Sequence, residues 1–352
     1  MHTRILKVDQ VNPEPDAIRQ AADVIRKGGT VVFPTETVYG LGANALSGTA
    51  CRKIFEAKER PPDNPLIVHI ADISQLEKVA RDIPDVVMNA LEYIWPGPVT
   101  LLLKKARNVP DEVTAGLDSV AVRMPANPLA LMLIRESGVP IAAPSANIAT
   151  RPSIVDSREA IKELTGRVDM ILDSGKTFFG IESTILDARG RPAELLRPGA
   201  YTVEDLEKFF GKILIGDTAR GIAESEIAIT PGMKYRHYSP ETRLFMVDDR
   251  NLFTRIMQSS FSTRISPICS SEIASIISVE SISLGTESNL YEVASNLFQS
   301  LRKLDASGKE IGIIQSFEER GIGMAIMNRI RKASSGTITG IEDVEVILSG
   351  TD

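Results

Sequence analysis

The sequence predicts an α/β chain of two domains, the first built on a mixed sheet and the second on a smaller doubly wound one. Three observations carry that reading. In the first domain several short apolar strands follow one another with no helix between them, which a purely parallel sheet does not permit. A stretch without hydrophobic period runs from Gly216 to Thr242. Beyond it a strand–helix rhythm returns over about a hundred residues, an ordinary size for one more domain. The expected boundaries are 1–215, a linker or lid over 216–242, and 243–352.

In chain order, Ala17, Ile18, Ala21, Val24 and Ile25 recur at helical spacing, and Gly28-Gly29 stop that helix. Thr30-Val31-Val32-Phe33 then reads as a buried strand closed by Pro34. A helix is expected over 50–57 and a strand over 66–70. Further strands are expected over 99–103, 120–124, 141–143, 170–172 and 184–186, with helices over 128–136 and 158–164. In the second domain the strands are 244–247, 266–268, 282–284, 311–314 and 344–348. Its helices are 251–258, 291–304 and 325–331.

The 352 residues are 43% hydrophobic and 24% charged, a globular balance that argues against disorder. A net charge of −6 gives no general attraction to nucleic acid or anionic membrane. Cys51 and Cys269 alone cannot form a disulfide framework or a cysteine-rich zinc site. Residues 1–10 lack the apolar core of a signal peptide, and no apolar run is long enough to span a bilayer. A cytoplasmic protein without membrane contact is expected.

The standard ligand motifs fail on context. Gly40-Leu41-Gly42-Ala43-Asn44-Ala45 fits a loose dinucleotide fingerprint, but the preceding strand ends at Phe33, too early for the strand-to-helix turn. Gly175-Lys176-Thr177 resembles the end of a phosphate loop, yet Met170 stands where its first glycine belongs. His2, His69 and His237 are too scattered for a metal site or a triad, and no metal ligand set is assigned.

Two segments stand out instead. Lys58-Glu59-Arg60 precedes Pro61-Pro62-Asp63-Asn64-Pro65, a stiff loop that fixes where the two cations point. Alone, such cations are a solvated helix end favoured by the C-terminal dipole. Ser145-Ala146-Asn147 follows the small-residue run Ile141-Ala142-Ala143-Pro144. Its polar residues fit both turn capping and close contact with a ligand. Arg123 and Arg197 end apolar runs and must find an anion or reach solvent. Thr35, in Thr35-Glu36-Thr37-Val38-Tyr39, offers either turn chemistry or a hydroxyl for a small substrate. His69 lies in an apolar strand, where a satisfied core histidine is the commoner case.

Taken in order, Pro34-Thr35-Glu36-Thr37-Val38-Tyr39-Gly40-Leu41, Lys58-Glu59-Arg60-Pro61, Trp95-Pro96-Gly97-Pro98-Val99-Thr100, Val122-Arg123-Met124-Pro125, Pro144-Ser145-Ala146-Asn147, Glu182-Ser183-Thr184-Ile185 and Arg197-Pro198-Gly199 resemble the YrdC-like family. Pro231-Gly232-Met233 with His237-Tyr238-Ser239-Pro240 resembles the linker of its long, two-domain threonylcarbamoyl-AMP synthases. The resemblance implies a twisted mixed sheet around a concave pocket, followed by a Rossmann-like domain. It implies formation of threonylcarbamoyl-AMP and pyrophosphate from ATP, L-threonine and bicarbonate, with Mg2+ accompanying ATP. The product serves a downstream tRNA threonylcarbamoyl transferase machinery that modifies adenosine.

On that resemblance Lys58, Arg60 and Arg197 neutralise phosphate charge, with Lys58 and Arg60 the catalytic cations. Ser145 and Asn147 orient the nucleotide, Ser119 and Ser153 are further phosphate contacts, and His237 belongs to the lid over ATP. Thr35, His69, Arg123 and Ser183 hold threonine. Competing readings are a YrdC-like RNA-binding or ribosome-associated module, disfavoured by the acidic balance, and a carbamoyltransferase, whose zinc modules two cysteines cannot supply. A nicotinamide dehydrogenase rests only on the glycines of 40–45.

Overall fold

The computed structural model describes residues 2–223, 228–231 and 238–350, which fall into two compact units. The first comprises Met1–Ala149 with Ser153–Tyr235, the second Thr150–Pro152 with Arg236–Asp352.

Among the described residues twelve strands of the first unit join into one mixed sheet. Its path runs Arg4–Lys7, Met170–Asp173, Val31–Pro34, Tyr39–Asn44, Ile141–Ala142, Ile67–His69, Ser119–Arg123, Val99–Lys105, Thr184–Asp187, Glu194–Arg197 and Leu214–Ile215. Ala80–Arg81 pairs alongside Val99–Lys105. Ile67–His69 runs parallel to Ser119–Arg123, which in turn runs antiparallel to Val99–Lys105. Helices pack on this sheet through small and branched side chains. The helix Pro15–Arg26 starts on a proline, whose missing N–H costs nothing at that position, and buries Ile18, Ala21, Ala22 and Ile25. These join Leu129, Leu133 and Ile134 of the helix Pro128–Ser137, with Phe33 and Ile141 from the sheet, in one core.

The second unit holds a five-stranded, all-parallel sheet in the order Ile282–Ser283, Ile265–Cys269, Ile311–Gln315, Arg243–Val247, Gly336–Thr337. Its two faces are covered separately, as in a doubly wound fold. Phe245, Val247 and Ile313 pack with Phe253 and Ile256 of Arg250–Gln258 and with Val344 of Ile341–Ser349. On the other face Gly312 lies against Leu304 of the helix Leu290–Asp305. Tyr238 packs its ring on Phe298, with the Arg329 guanidinium 5.6 Å from the Tyr238 ring centroid.

One expectation is corrected. Residues 344–348 form part of the helix Ile341–Ser349, not a strand. Val344, Ile347 and Leu348 are its buried residues, an i, i+3, i+4 set that places them on one helical face. The glycines of 40–45 belong to the strand Tyr39–Asn44, antiparallel to Val31–Pro34, so there is no phosphate turn at that place. Gly42 is needed for packing: a Cβ there would lie 2.6 Å from Ile141 Cγ2 and 2.7 Å from Phe33 Cε1. The helices Asp85–Ile94 and Val203–Phe210 and the strands Arg4–Lys7 and Glu194–Arg197 add to the elements expected from sequence.

Gly42→Ala is therefore expected to destabilise the first unit by about 1–2 kcal/mol, overpacking outweighing the smaller entropy lost by the unfolded chain. Denaturant unfolding measures it, and equal or greater stability would contradict the packing role.

Candidate active site

The sheet register lines up the polar side chains. Across neighbouring strands His69 is opposite Arg123, Arg123 opposite Thr100, Thr100 opposite Ile185, and Ile185 opposite Arg197. Directly opposed residues share a face, so this row carries a histidine, an arginine and a threonine. Arg197, set across a β-bulge, joins it through Ser183 Oγ, the whole spanning about 19 Å at the usual strand spacing. The turn Thr35–Val38 enters from the end of Val31–Pro34. Ser145 bridges to Gly40 just beyond Ile141–Ala142.

Arg123 is buried and held on three sides. Its Nε donates to Gly97 O at 3.2 Å and Nη1 to Thr37 Oγ1 at 2.9 Å, while Nη2 lies 2.6 Å from Glu36 Oε1. Burial, and next the Arg123 charge, push His69 down to about 3, so its ring is neutral near neutral pH. His69 Nδ1 is buried with no hydrogen-bond partner among the described residues. The Phe33 ring meets the imidazole edge-on at 6.3 Å. Thr35 serves its own turn: Oγ1 donates to Val38 O at 2.7 Å and accepts the N–H groups of Thr37 and Val38 at 3.2 Å.

The two segments singled out in sequence are joined in space. The helix Gly48–Lys58, capped by Ser47 through the Ala50 N–H, ends with Glu59 in the left-handed region at φ 53°. That turn leaves Lys58 facing inward, 1% exposed. Its Nζ donates to Ser145 O at 2.6 Å and also to Asn147 O, and its own carbonyl accepts the Ala149 N–H at 2.9 Å. Burial, and then the neighbouring Arg60 charge, hold the Lys58 ammonium well below its ordinary pKa. Arg60 is half-buried and turns Nη2 back on its own loop, at 3.1 Å from the carbonyls of Asn64 and Pro65. The proline-rich loop thus does fix the cation, through its backbone.

At the other end of the row Arg197 is clamped on Ser183. Its Nε donates to Ser183 O at 3.1 Å and Nη2 to Ser183 Oγ at 3.2 Å, and Pro231 O lies 3.5 Å from Nη1. Ser183 Oγ also shares a 2.7 Å hydrogen bond with Thr100 Oγ1. Gly199 lets the chain pass close by, since a Cβ there would stand 2.5 Å from Glu182 O. Ser153 Oγ donates to the buried Glu182 carboxylate. Ser119 begins the strand that Arg123 ends, about 13 Å away along it, and is not gathered into the row. His237 lies outside the described residues.

Residues 23–199 match the family model described as Telomere recombination (Sua5, YciO, YrdC), and residues 201–335 match Threonylcarbamoyl-AMP synthase, C-terminal domain. The threonylcarbamoyl-AMP synthase of Pyrococcus abyssi is 44% identical over 321 residues, covering 90% of this chain and 94% of that one. The chain belongs to the threonylcarbamoyl-AMP synthase family. The Bacillus subtilis threonylcarbamoyl-AMP synthase is 42% identical over 338 residues, covering 94% and 96%. The crystal structure of P. abyssi Sua5 complexed with L-threonine superposes with a TM-score of 0.89 at 42% identity, covering 96% of this chain and all of that one.

Within this threonylcarbamoyl-AMP synthase fold, Glu36, Thr37, Thr100 and Glu182 carry no site role on the sequence alone. All four are buried polar residues touching an expected site residue. A carboxylate flanked by two threonines right after a strand was the available signal for Glu36. Nothing local marks Thr100, because its partner is distant in sequence.

The neutral, buried His69 gives a pH prediction. In the unfolded chain it titrates near 6.5, so between that value and about 3 the unfolded state holds a proton the native state refuses. Stability is then lost as pH falls below about 6.5, by about 2 kcal/mol between pH 7 and 5 from this residue. Denaturant unfolding of wild type and His69→Gln at both pH values should differ by that amount; equal losses would remove the assignment.

Proposed function

We propose that this chain acts as an L-threonylcarbamoyladenylate synthase and a nucleotidyltransferase, converting L-threonine, bicarbonate and ATP into threonylcarbamoyl-AMP and pyrophosphate. The observation that supports it most is the single row of cations and hydroxyls, flanked by the Lys58 staple to Ser145 and Asn147. One end suits an amino acid and the other a triphosphate. The relative solved with L-threonine supports threonine as a substrate.

Threonine's amine combines with bicarbonate to give a carbamate, whose oxygen attacks the α-phosphorus in line with the departing pyrophosphate. Such a transfer needs positioning and stabilisation of charge more than a covalent nucleophile. Lys58, Arg60 and Arg197 are assigned to the phosphates. For Lys58 the burial that disfavours its charge also leaves it under-solvated, so an arriving phosphate oxygen is strongly attracted. Ser145 and Asn147 are assigned to the nucleotide, with Ser119, Ser153 and His237 as further ATP contacts. Thr35, His69, Arg123 and Ser183 are assigned to threonine, Thr35 by shaping its turn.

Mg2+ is taken to arrive with the triphosphate of ATP, whose oxygens it binds. The segment 216–242 is assigned to a cover that keeps water from the reacting groups. No helix among the described residues is long and apolar enough to cross a membrane. The cytoplasm, where a tRNA threonylcarbamoyl transferase consumes the product, is the proposed location.

The test is pyrophosphate release with each substrate omitted in turn. Release that requires ATP, threonine and bicarbonate together is expected. Release with neither threonine nor bicarbonate would replace the synthase with a simple ATPase. Lys58→Ala should lower the full reaction about 10²- to 10³-fold, and an unchanged rate would sink its role.

A further inference from the structure

We propose that Glu36 binds the ammonium group of threonine and accepts its proton as the carbamate forms, an assignment that rests on the synthase reading above. Glu36 is 7% exposed, and among the described residues neither carboxylate oxygen accepts a hydrogen bond. Its one close charge is Arg123 Nη2, 2.6 Å from Oε1 but outside hydrogen-bonding geometry. An arginine–carboxylate pair kept for structure normally forms directed, often two-point hydrogen bonds. Here the carboxylate has the charge of Arg123 beside it but no directed donor on either oxygen, which leaves its acceptor sites open.

The surroundings say what that use is. Arg123 spends Nη1 on Thr37 and Nε on Gly97, leaving Nη2, which lies beside Glu36 Oε1, as its donor without a directed hydrogen bond. Backbone contacts fix Glu36, whose carbonyl accepts the Phe179 N–H at 2.8 Å. A cation and an anion side by side, each short of directed hydrogen bonds, complement the two charged ends of an α-amino acid. The carboxylate of threonine takes Arg123 Nη2, and its ammonium takes Glu36. Neither Thr35 nor His69 can replace Glu36. Thr35 Oγ1 is engaged in its own turn, and His69 is neutral and carries no negative charge.

The same placement supplies the base that carbamate formation requires. The ammonium gives one proton to a Glu36 carboxylate oxygen, and the freed nitrogen lone pair forms the N–C bond to bicarbonate. The C–OH bond of bicarbonate breaks, and its hydroxyl leaves as water with the second nitrogen proton. One N–C bond is made, one C–O bond is lost, and the net proton resides on Glu36.

Binding to the full-length chain separates this from a packing role. Titration calorimetry is run with L-threonine and with 3-hydroxybutanoate, which keeps the carboxylate and hydroxyl but lacks the amine. In Glu36→Gln, threonine affinity should fall about 10- to 100-fold, the usual worth of a charged hydrogen bond, with 3-hydroxybutanoate binding unchanged. Turnover at saturating threonine should fall as well, since the amide accepts no proton. Unchanged threonine affinity, or an equal loss for both ligands, overturns the assignment. If Glu36→Gln does not fold, Glu36→Asp decides: it keeps the charge and should show a smaller loss confined to threonine, while equal losses count against the proposal. Wild type that binds no threonine removes the synthase reading and this assignment together, whereas wild-type affinity that survives in the variant removes the assignment alone.

Discussion

A guanidinium with almost no access to water, at the end of a five-residue strand, organises the first unit. Arg123 cannot stay buried unless its donors are met, and Thr37, Gly97 and Glu36 meet or face them from two different segments. That requirement ties the turn after Val31–Pro34 to the Trp95–Pro98 corner. The corner is itself held by the Trp95 Nε1 hydrogen bond to Val99 O at 2.7 Å. Register then extends the arrangement strand by strand to Thr100 and Arg197. A one-residue slip would turn these side chains into the opposite face, so the site and the sheet specify each other.

Lys58 does for the nucleotide side what Arg123 does for the amino-acid side. Its buried ammonium donates to main-chain carbonyls, which orient the Ser145–Asn147 segment. A lysine so placed gives up solvation and part of its hold on its proton. The lost solvation strengthens the response of the protonated form to an incoming anion, because electrostatic interactions grow as water is excluded, and the anion in turn favours that protonated form. Stability is sacrificed at these positions for a preorganised charge pattern, the usual bargain at a reacting site.

Much of the architecture was legible because strands of Val, Ile and Leu and helices with i, i+3, i+4 apolar sets announce themselves locally. The residues 30–33, 244–247 and 311–314 are of the first kind, and 17–25 and 291–304 of the second. The misses have physical causes. Tyr39–Asn44 carries two glycines and so lacks strand propensity, and it is a strand because Phe33 and Ile141 demand close approach there. Residues 344–348 contain valine and isoleucine and read as extended, yet their apolar spacing suits one helix face against the second core.

The sequence by itself determined the fold class, the order of the segments and the residue types that handle charge: two lysine–arginine and serine–asparagine clusters, and arginines stranded at the ends of apolar runs. It determined these because composition, period and turn chemistry are local properties. Only the tertiary structure decided that Lys58 grips the carbonyls of Ser145 and Asn147, that Arg197 closes on Ser183, and that Ser119 stands apart from the row. It also decided that Glu36 faces Arg123 without a directed hydrogen bond. Those are contacts between residues far apart in the chain, set by strand register and by the need to satisfy buried charge, and no local pattern encodes them.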